Sequence, residues 1–138
     1  MSSVGPSALF GRRPPRPPRR GFLWLVVLDP VSFGRRLRGG PGALKTGNRV
    51  AGELGALAEF LSASWGPTGL LLSGGLTAAG VCAQMRIAGL DLREELSPGL
   101  VASSARWAGP GLEIITKPGG FGAEDALADT ARRIRRAS

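Results

Sequence analysis

Two stretches of this chain share one layout: a short, largely apolar run passes into a glycine-rich turn and then into a helical pattern. The first reads Gly69-Leu70-Leu71-Leu72-Ser73 and continues through Gly74-Gly75-Leu76-Thr77. The second reads Leu112-Glu113-Ile114-Ile115-Thr116 and continues through Lys117-Pro118-Gly119-Gly120-Phe121-Gly122. Short apolar runs bounded by turn residues suit strands buried on both faces of a parallel sheet. Strands that alternate with helices restrict the chain to a layered α/β architecture.

The segments between the two units fit that frame. From Val50, the apolar positions Leu54, Leu57, Ala58 and Leu61 follow the stripe of an amphipathic helix that ends near Trp65, before Gly66-Pro67. A second helix is expected over about Thr77 to Ile87, burying Val81 and Met85 and stopping at Gly89. Leu90 and Leu92 alternate with Asp91 and Arg93 as in a half-exposed strand, and Ser97-Pro98-Gly99 turns the chain back antiparallel through Leu100 to Trp107. A terminal helix from about Ala123 has Glu124 and Asp125 in its first turn and four arginines at its end, as the helix dipole favours. Its inward stripe is Ala126, Leu127, Thr130, Ala131 and Ile134. The expected fold is therefore α/β, a layered mixed sheet with helices on both faces.

Charge divides the chain. Residues 1–45 hold nine Lys/Arg against one acid, Asp29, whereas residues 46–138 hold nine of each sign, so the whole net charge of +8 belongs to the amino-terminal third. Seven of the 11 prolines lie there too. Gly11 to Arg20 alternates prolines with arginines, a composition that favours polyproline II, repels itself and cannot bury a core. We therefore expect a disordered basic arm over 1–20, a weakly assigned strand (Phe22 to Leu28) and linker over 21–45, and the folded domain over 46–138.

Several function classes are excluded or disfavoured. One cysteine, Cys82, and no histidine exclude an internal disulfide, a Cys/His zinc site and a histidine general base. A reducing cytoplasm is the expected compartment. No apolar run approaches the ~20 residues that span a bilayer, and the twin-arginine look of Arg19-Arg20-Gly21-Phe22-Leu23 lacks a following cleavage site. Nucleic-acid binding by the arm is disfavoured because no aromatic side chains are interleaved among its arginines. Gly39 to Thr46 has the outline of a P-loop, but Leu44 stands where that motif needs glycine before the lysine, so it is read as a decoy.

The candidate site is the pair of glycine loops. Glycine removes the Cβ that would keep a ligand away, and a helix start offers free N–H groups with partial positive charge, so an anion is favoured there. If the two strands are parallel neighbours, both loops open on one edge of the sheet, where ligands of open α/β folds lie. A lysine in one loop adds a point charge suited to phosphate. Taken singly, a Gly-Gly after a strand is a tight turn; two such loops, one with a lysine, point to a phosphate or nucleotide site.

The order Leu-Leu-Leu-Ser-Gly-Gly-x-Thr-Ala (70–78), then Glu95 with Pro98-Gly99, then Lys-Pro-Gly-Gly-Phe-Gly (117–122) resembles the carboxy-terminal domain of four-carbon acid sugar kinases. The resemblance covers roughly 46–138. It implies ATP as the nucleotide, transfer of phosphate to an acid sugar such as threonate or erythronate, and a sugar-binding domain supplied elsewhere, including by a separately encoded chain. It assigns the nucleotide to Ser73, Gly74, Gly75, Thr77, Lys117, Gly119, Gly120 and Gly122, with Phe121 as a packing anchor. It also implies Mg²⁺, yet Leu76 stands where the family carries an acid, and leucine cannot hold a cation directly or through water. No residue is assigned to catalysis or to a metal. Without a sugar-binding domain, the expectation is a chain that does not turn over alone. The alternative is a non-catalytic remnant or interaction module that has lost the nucleotide site.

Overall fold

A computed structural model describes residues 42–120 and 123–137. The expected arm, the expected strand over Phe22 to Leu28, and Phe121 and Gly122 lie outside the described residues. The described elements are α1 (Gly42–Trp65), β1 (Gly69–Ser73), α2 (Gly75–Gln84), β2 (Gly89–Ser97), β3 (Leu100–Arg106), β4 (Glu113–Lys117) and α3 (Ala126–Ala137).

The four strands form one mixed sheet in the order β1-β4-β3-β2. The two apolar runs, now β1 and β4, are parallel neighbours, with Leu71 opposite Ile115 and Ser73 opposite Lys117. The β2–β3 hairpin extends the sheet antiparallel, and Val101 of β3 pairs with Thr116 of β4.

Both faces of the sheet carry apolar layers. On one face Leu72, Val81, Met85, Leu112 and Ile114 form the larger cluster beneath α1 and α2; Ile114 is 0% exposed. On the other, Leu100, Ala102 and Ile115 pack with Leu71 and Leu96. The terminal helix α3 reaches this second face through Arg133, whose Nη2 donates to Glu94 Oε1 at 2.6 Å; Glu94 stands opposite Ala102 in the ladder. Thr130 of α3 is buried. The expected α/β layering with helices on both faces is therefore what the chain adopts.

Helices α1 and α2 run side by side in the same direction, and small residues set their distance. Gly47 of α1 meets Leu76, Ala51 meets Gly80, and Glu59 accepts a hydrogen bond from Gln84 at 2.8 Å. A Cβ built on Gly55 would lie 2.5 Å from the Gly80 carbonyl oxygen, so the two backbones nearly touch. Only glycine permits such an approach.

Several boundaries differ from the sequence expectation, each for a physical reason. Helix α1 begins at Gly42 and not at Val50; its early contact with α2 is made by Gly47, a residue with no side chain to register in a hydrophobic stripe. Helix α2 stops at Gln84 and not at Ile87. Arg86 takes a left-handed φ of 54°, and the Ile87 N–H bonds back to the Cys82 carbonyl at 2.8 Å, closing the helix with no glycine at the turn. Strand β2 is nine residues long and lies at the sheet edge, leaving Leu92 77% exposed. The terminal helix starts at Ala126, so Glu124 and Asp125 lie in the preceding turn and Asp129 is the acid of the first helical turn. Leu127, expected inside, is 40% exposed. The side chain of Ile134 lies outside the described residues.

Candidate functional site

Parallel pairing of β1 and β4 in this register brings both strand ends to one edge. The pairing continues one residue into the loops, because the Gly74 N–H donates to the Lys117 carbonyl at 2.9 Å. A Cβ placed on Gly119 would come within 3.7 Å of the Gly74 Cα, so the two glycine loops lie against each other. Ser73, Gly74, Gly75, Thr77, Lys117, Gly119 and Gly120 therefore share one edge of the sheet. Gly122 lies outside the described residues.

The local backbone explains why glycine stands where it does. Gly74 has φ 98° and ψ 137°, a conformation that residues with a Cβ rarely enter, and it forms the N-cap of α2. Its carbonyl accepts the Ala78 N–H at 3.0 Å, which starts the helix. No side chain caps the α2 start, so its leading N–H groups face outward unclaimed by a cap. A Cβ on Gly75 or Gly120 would meet nothing within 4 Å, so bare backbone borders open space at both loops. The Thr77 hydroxyl sits 3.8 Å from the position a Gly74 Cβ would take.

Lys117 supplies the cation at this edge. Its Nζ donates to the Pro118 carbonyl at 3.0 Å and lies 3.4 Å from that of Gly119, so the ammonium is folded over its own loop. Both are exposed bonds, weak enough to exchange for a stronger anionic acceptor.

A third loop joins the pair. Because β3 runs antiparallel to β4, its start lies beside the end of β4, and the Ser97–Gly99 turn arrives at the edge that holds both glycine loops. Gly99 has φ 79°, and a Cβ there would sit 3.4 Å from Pro118 Cγ. The sequence reading used Pro98-Gly99 only as a mark of resemblance and placed no site residue there. A hairpin antiparallel to β4 must turn next to the end of β4, but that pairing is a tertiary fact that the turn's own residues do not encode. Leu76, which the reading singled out, is 51% exposed, with its Cδ1 3.3 Å from a Cβ built on Gly47 of α1.

Metal chemistry finds little support in this donor set. The residue after Gly75 is a leucine, and among the described residues no group of three or more His, Cys, Asp or Glu could hold a metal ion. The loops fit an anion held by backbone N–H groups and one lysine. No described helix is long and apolar enough to cross a membrane.

Comparison with known proteins agrees with this geometry. The sequence profile of a family described as the nucleotide-binding C-terminal domain matches residues 31–127, a span that includes all three loops. A D-threonate kinase of Bordetella bronchiseptica is 36% identical over 87 residues, covering 62% of this chain and 22% of that protein. Two crystal forms of a domain of unknown function from Bordetella bronchiseptica, both with bound citrate and both described as domain-swapped dimers, share the fold. One superposes with a TM-score of 0.60 at 35% identity, covering 64% of this chain and 23% of that one. The other gives 0.61 at 34%, covering 70% and 24%. The chain thus spans about a fifth of the length of the curated relative it matches. With the profile match covering most of the chain and the paired loops in place, the chain belongs to the nucleotide-binding C-terminal domain family, the carboxy-terminal domain of four-carbon acid sugar kinases.

Proposed function

We propose that this chain is the ATP-binding portion of a kinase for four-carbon acid sugars, and that it transfers phosphate only when a sugar-binding domain completes the site. The observation that carries the reading is the contact between the two glycine loops, Gly119 against Gly74, at the ends of adjacent parallel strands. Backbone N–H groups at the α2 start and in the 119–120 turn would hold the phosphates. Lys117 would release its two carbonyls and meet the phosphate as a point charge. The relative's action on D-threonate supports threonate or a similar acid sugar as the acceptor. Phosphoryl transfer depends on holding acceptor and phosphate in line, which is why this portion by itself would be inactive. The sugar-binding domain belongs to another part of the same protein or to a separately encoded chain, and the cytoplasm is the compartment that supplies ATP.

Leu76 favours a second reading, a remnant that keeps the sheet and has lost the nucleotide. Calorimetry separates the two. Titrating ATP and ADP into the protein, with Mg²⁺ and again with EDTA, should give saturable heat at sub-millimolar nucleotide under the first reading, with a small change on removing Mg²⁺. Absence of heat at millimolar nucleotide selects the remnant.

A further inference from the structure

We infer that Glu95 is a positioning residue for the phosphate loops, acting from the edge strand β2 through the hairpin turn. The inference rests on the nucleotide reading above for its effect on binding, but its geometry stands independently. Glu95 Oε1 accepts the Gly99 N–H at 3.0 Å, so a side chain on β2 reaches across the turn and fastens its tip. The ladder is irregular here, shifting register between Glu95 and Ser97, so this part of the hairpin is not fixed by regular pairing alone. The neighbouring charges are engaged elsewhere: Arg93 donates to Ser104 at 2.9 Å and Glu94 accepts from Arg133. Among the described residues, Glu95 is given to the turn.

From Gly99 the contact passes on. Gly99, at φ 79°, neighbours the Pro118 ring: a Cβ built on it would stand 3.4 Å from Cγ and 3.6 Å from Cδ, at ordinary van der Waals distance. Pro118 has its φ fixed by its own ring, so it has one soft backbone dihedral fewer with which to absorb a push. The next residue is Gly119, which lies against the Gly74 Cα. One carboxylate therefore sets a series of contacts from the β2–β3 turn through Pro118 and Gly119 to the start of α2. Glycine loops are intrinsically free to move, and a cradle built from them binds best when something outside holds it in shape.

The test compares Glu95→Ala, which removes the acceptor, with Glu95→Gln, whose amide oxygen can accept the same bond. Pro118→Ala serves as a second break in the series. ATP affinity is measured by calorimetry, and the Gly99, Gly119 and Gly120 amides are followed by ¹H–¹⁵N spectra. In Glu95→Ala, ATP should bind roughly three- to tenfold more weakly, with the Gly119 and Gly120 amides displaced and the thermal midpoint within about 4 °C of the parent. Glu95→Gln should restore affinity and spectrum, and Pro118→Ala should repeat the loss. Parent-like ATP affinity in Glu95→Ala overturns the inference. If the parent itself binds no ATP, the nucleotide reading has failed and the spectra decide alone: displaced Gly119 and Gly120 amides support positioning by Glu95, and unmoved ones overturn it.

Discussion

Gly80→Ala adds a single methyl group at the tightest point between α1 and α2. In the parent, the built Cβ would overlap the Ala51 carbonyl oxygen and lie 2.6 Å from its carbon and 2.9 Å from its Cβ. Ordinary contact for such a pair is 3.4–4 Å, so the helices must part by up to about 1 Å, and the partner is backbone that cannot rotate away. Overpacking of this kind costs about 1–3 kcal/mol. Replacing glycine by alanine inside a helix returns about 1 kcal/mol of propensity. The net expectation is a loss of about 0–2 kcal/mol, or up to roughly 15 °C in thermal midpoint for a domain of this size. Gly52→Ala is the control: it lies in the facing helix α1, next to Ala51, its added Cβ meets nothing within 4 Å, and it should gain stability by propensity alone. Thermal melts followed by circular dichroism, with urea titrations to check that the m-value holds, give both numbers. A Gly80→Ala protein as stable as the Gly52→Ala protein would refute the close approach of the two helices.

Other expectations follow from single positions. Arg86→Gly should stabilise the domain by about 0.5–1 kcal/mol in urea unfolding, because the parent holds an arginine at φ 54° where glycine carries no Cβ penalty. Gly74→Ala should cost about 1–3 kcal/mol in the same assay, since φ 98° is strained for alanine, and should also weaken ATP in calorimetry by distorting the α2 start. Burial pushes the Cys82 thiol up from its ordinary pKa. Its alkylation by iodoacetamide should therefore be slower at pH 8 than that of a free cysteine, and its rate should still climb at a pH where the free thiol has levelled off. Because the folded thiol keeps its proton longer than the unfolded one, its contribution to stability is constant below the ordinary thiol range and declines above it.

What the sequence disclosed follows from which features leave a mark on it. The runs Leu70-Leu71-Leu72 and Ile114-Ile115 read as strands buried on both faces because burial on both sides removes alternation. Their glycine turns then followed from composition, and with them the edge that holds the candidate site. Contacts made by residues without side chains were not legible: Gly47 meets Leu76 in the early part of α1 and Gly55 meets Gly80, yet neither adds to a hydrophobic stripe. The end of α2 was misplaced because its left-handed residue is Arg86, and arginine gives no stop signal. The third loop was hidden for another reason. Its place at the site depends on the antiparallel register of β3 with β4, a tertiary fact that no local pattern at Ser97–Gly99 encodes.

The central claim is that two loops, distant in sequence, hold one phosphate chain. Titration of ATP into ¹⁵N-labelled protein tests it residue by residue. The account predicts that the amides of Gly75, Leu76 and Thr77 at the α2 start and those of Gly119 and Gly120 shift along one saturation curve with a single Kd. Shifts confined to one loop, or two loops saturating at different ATP concentrations, would contradict it.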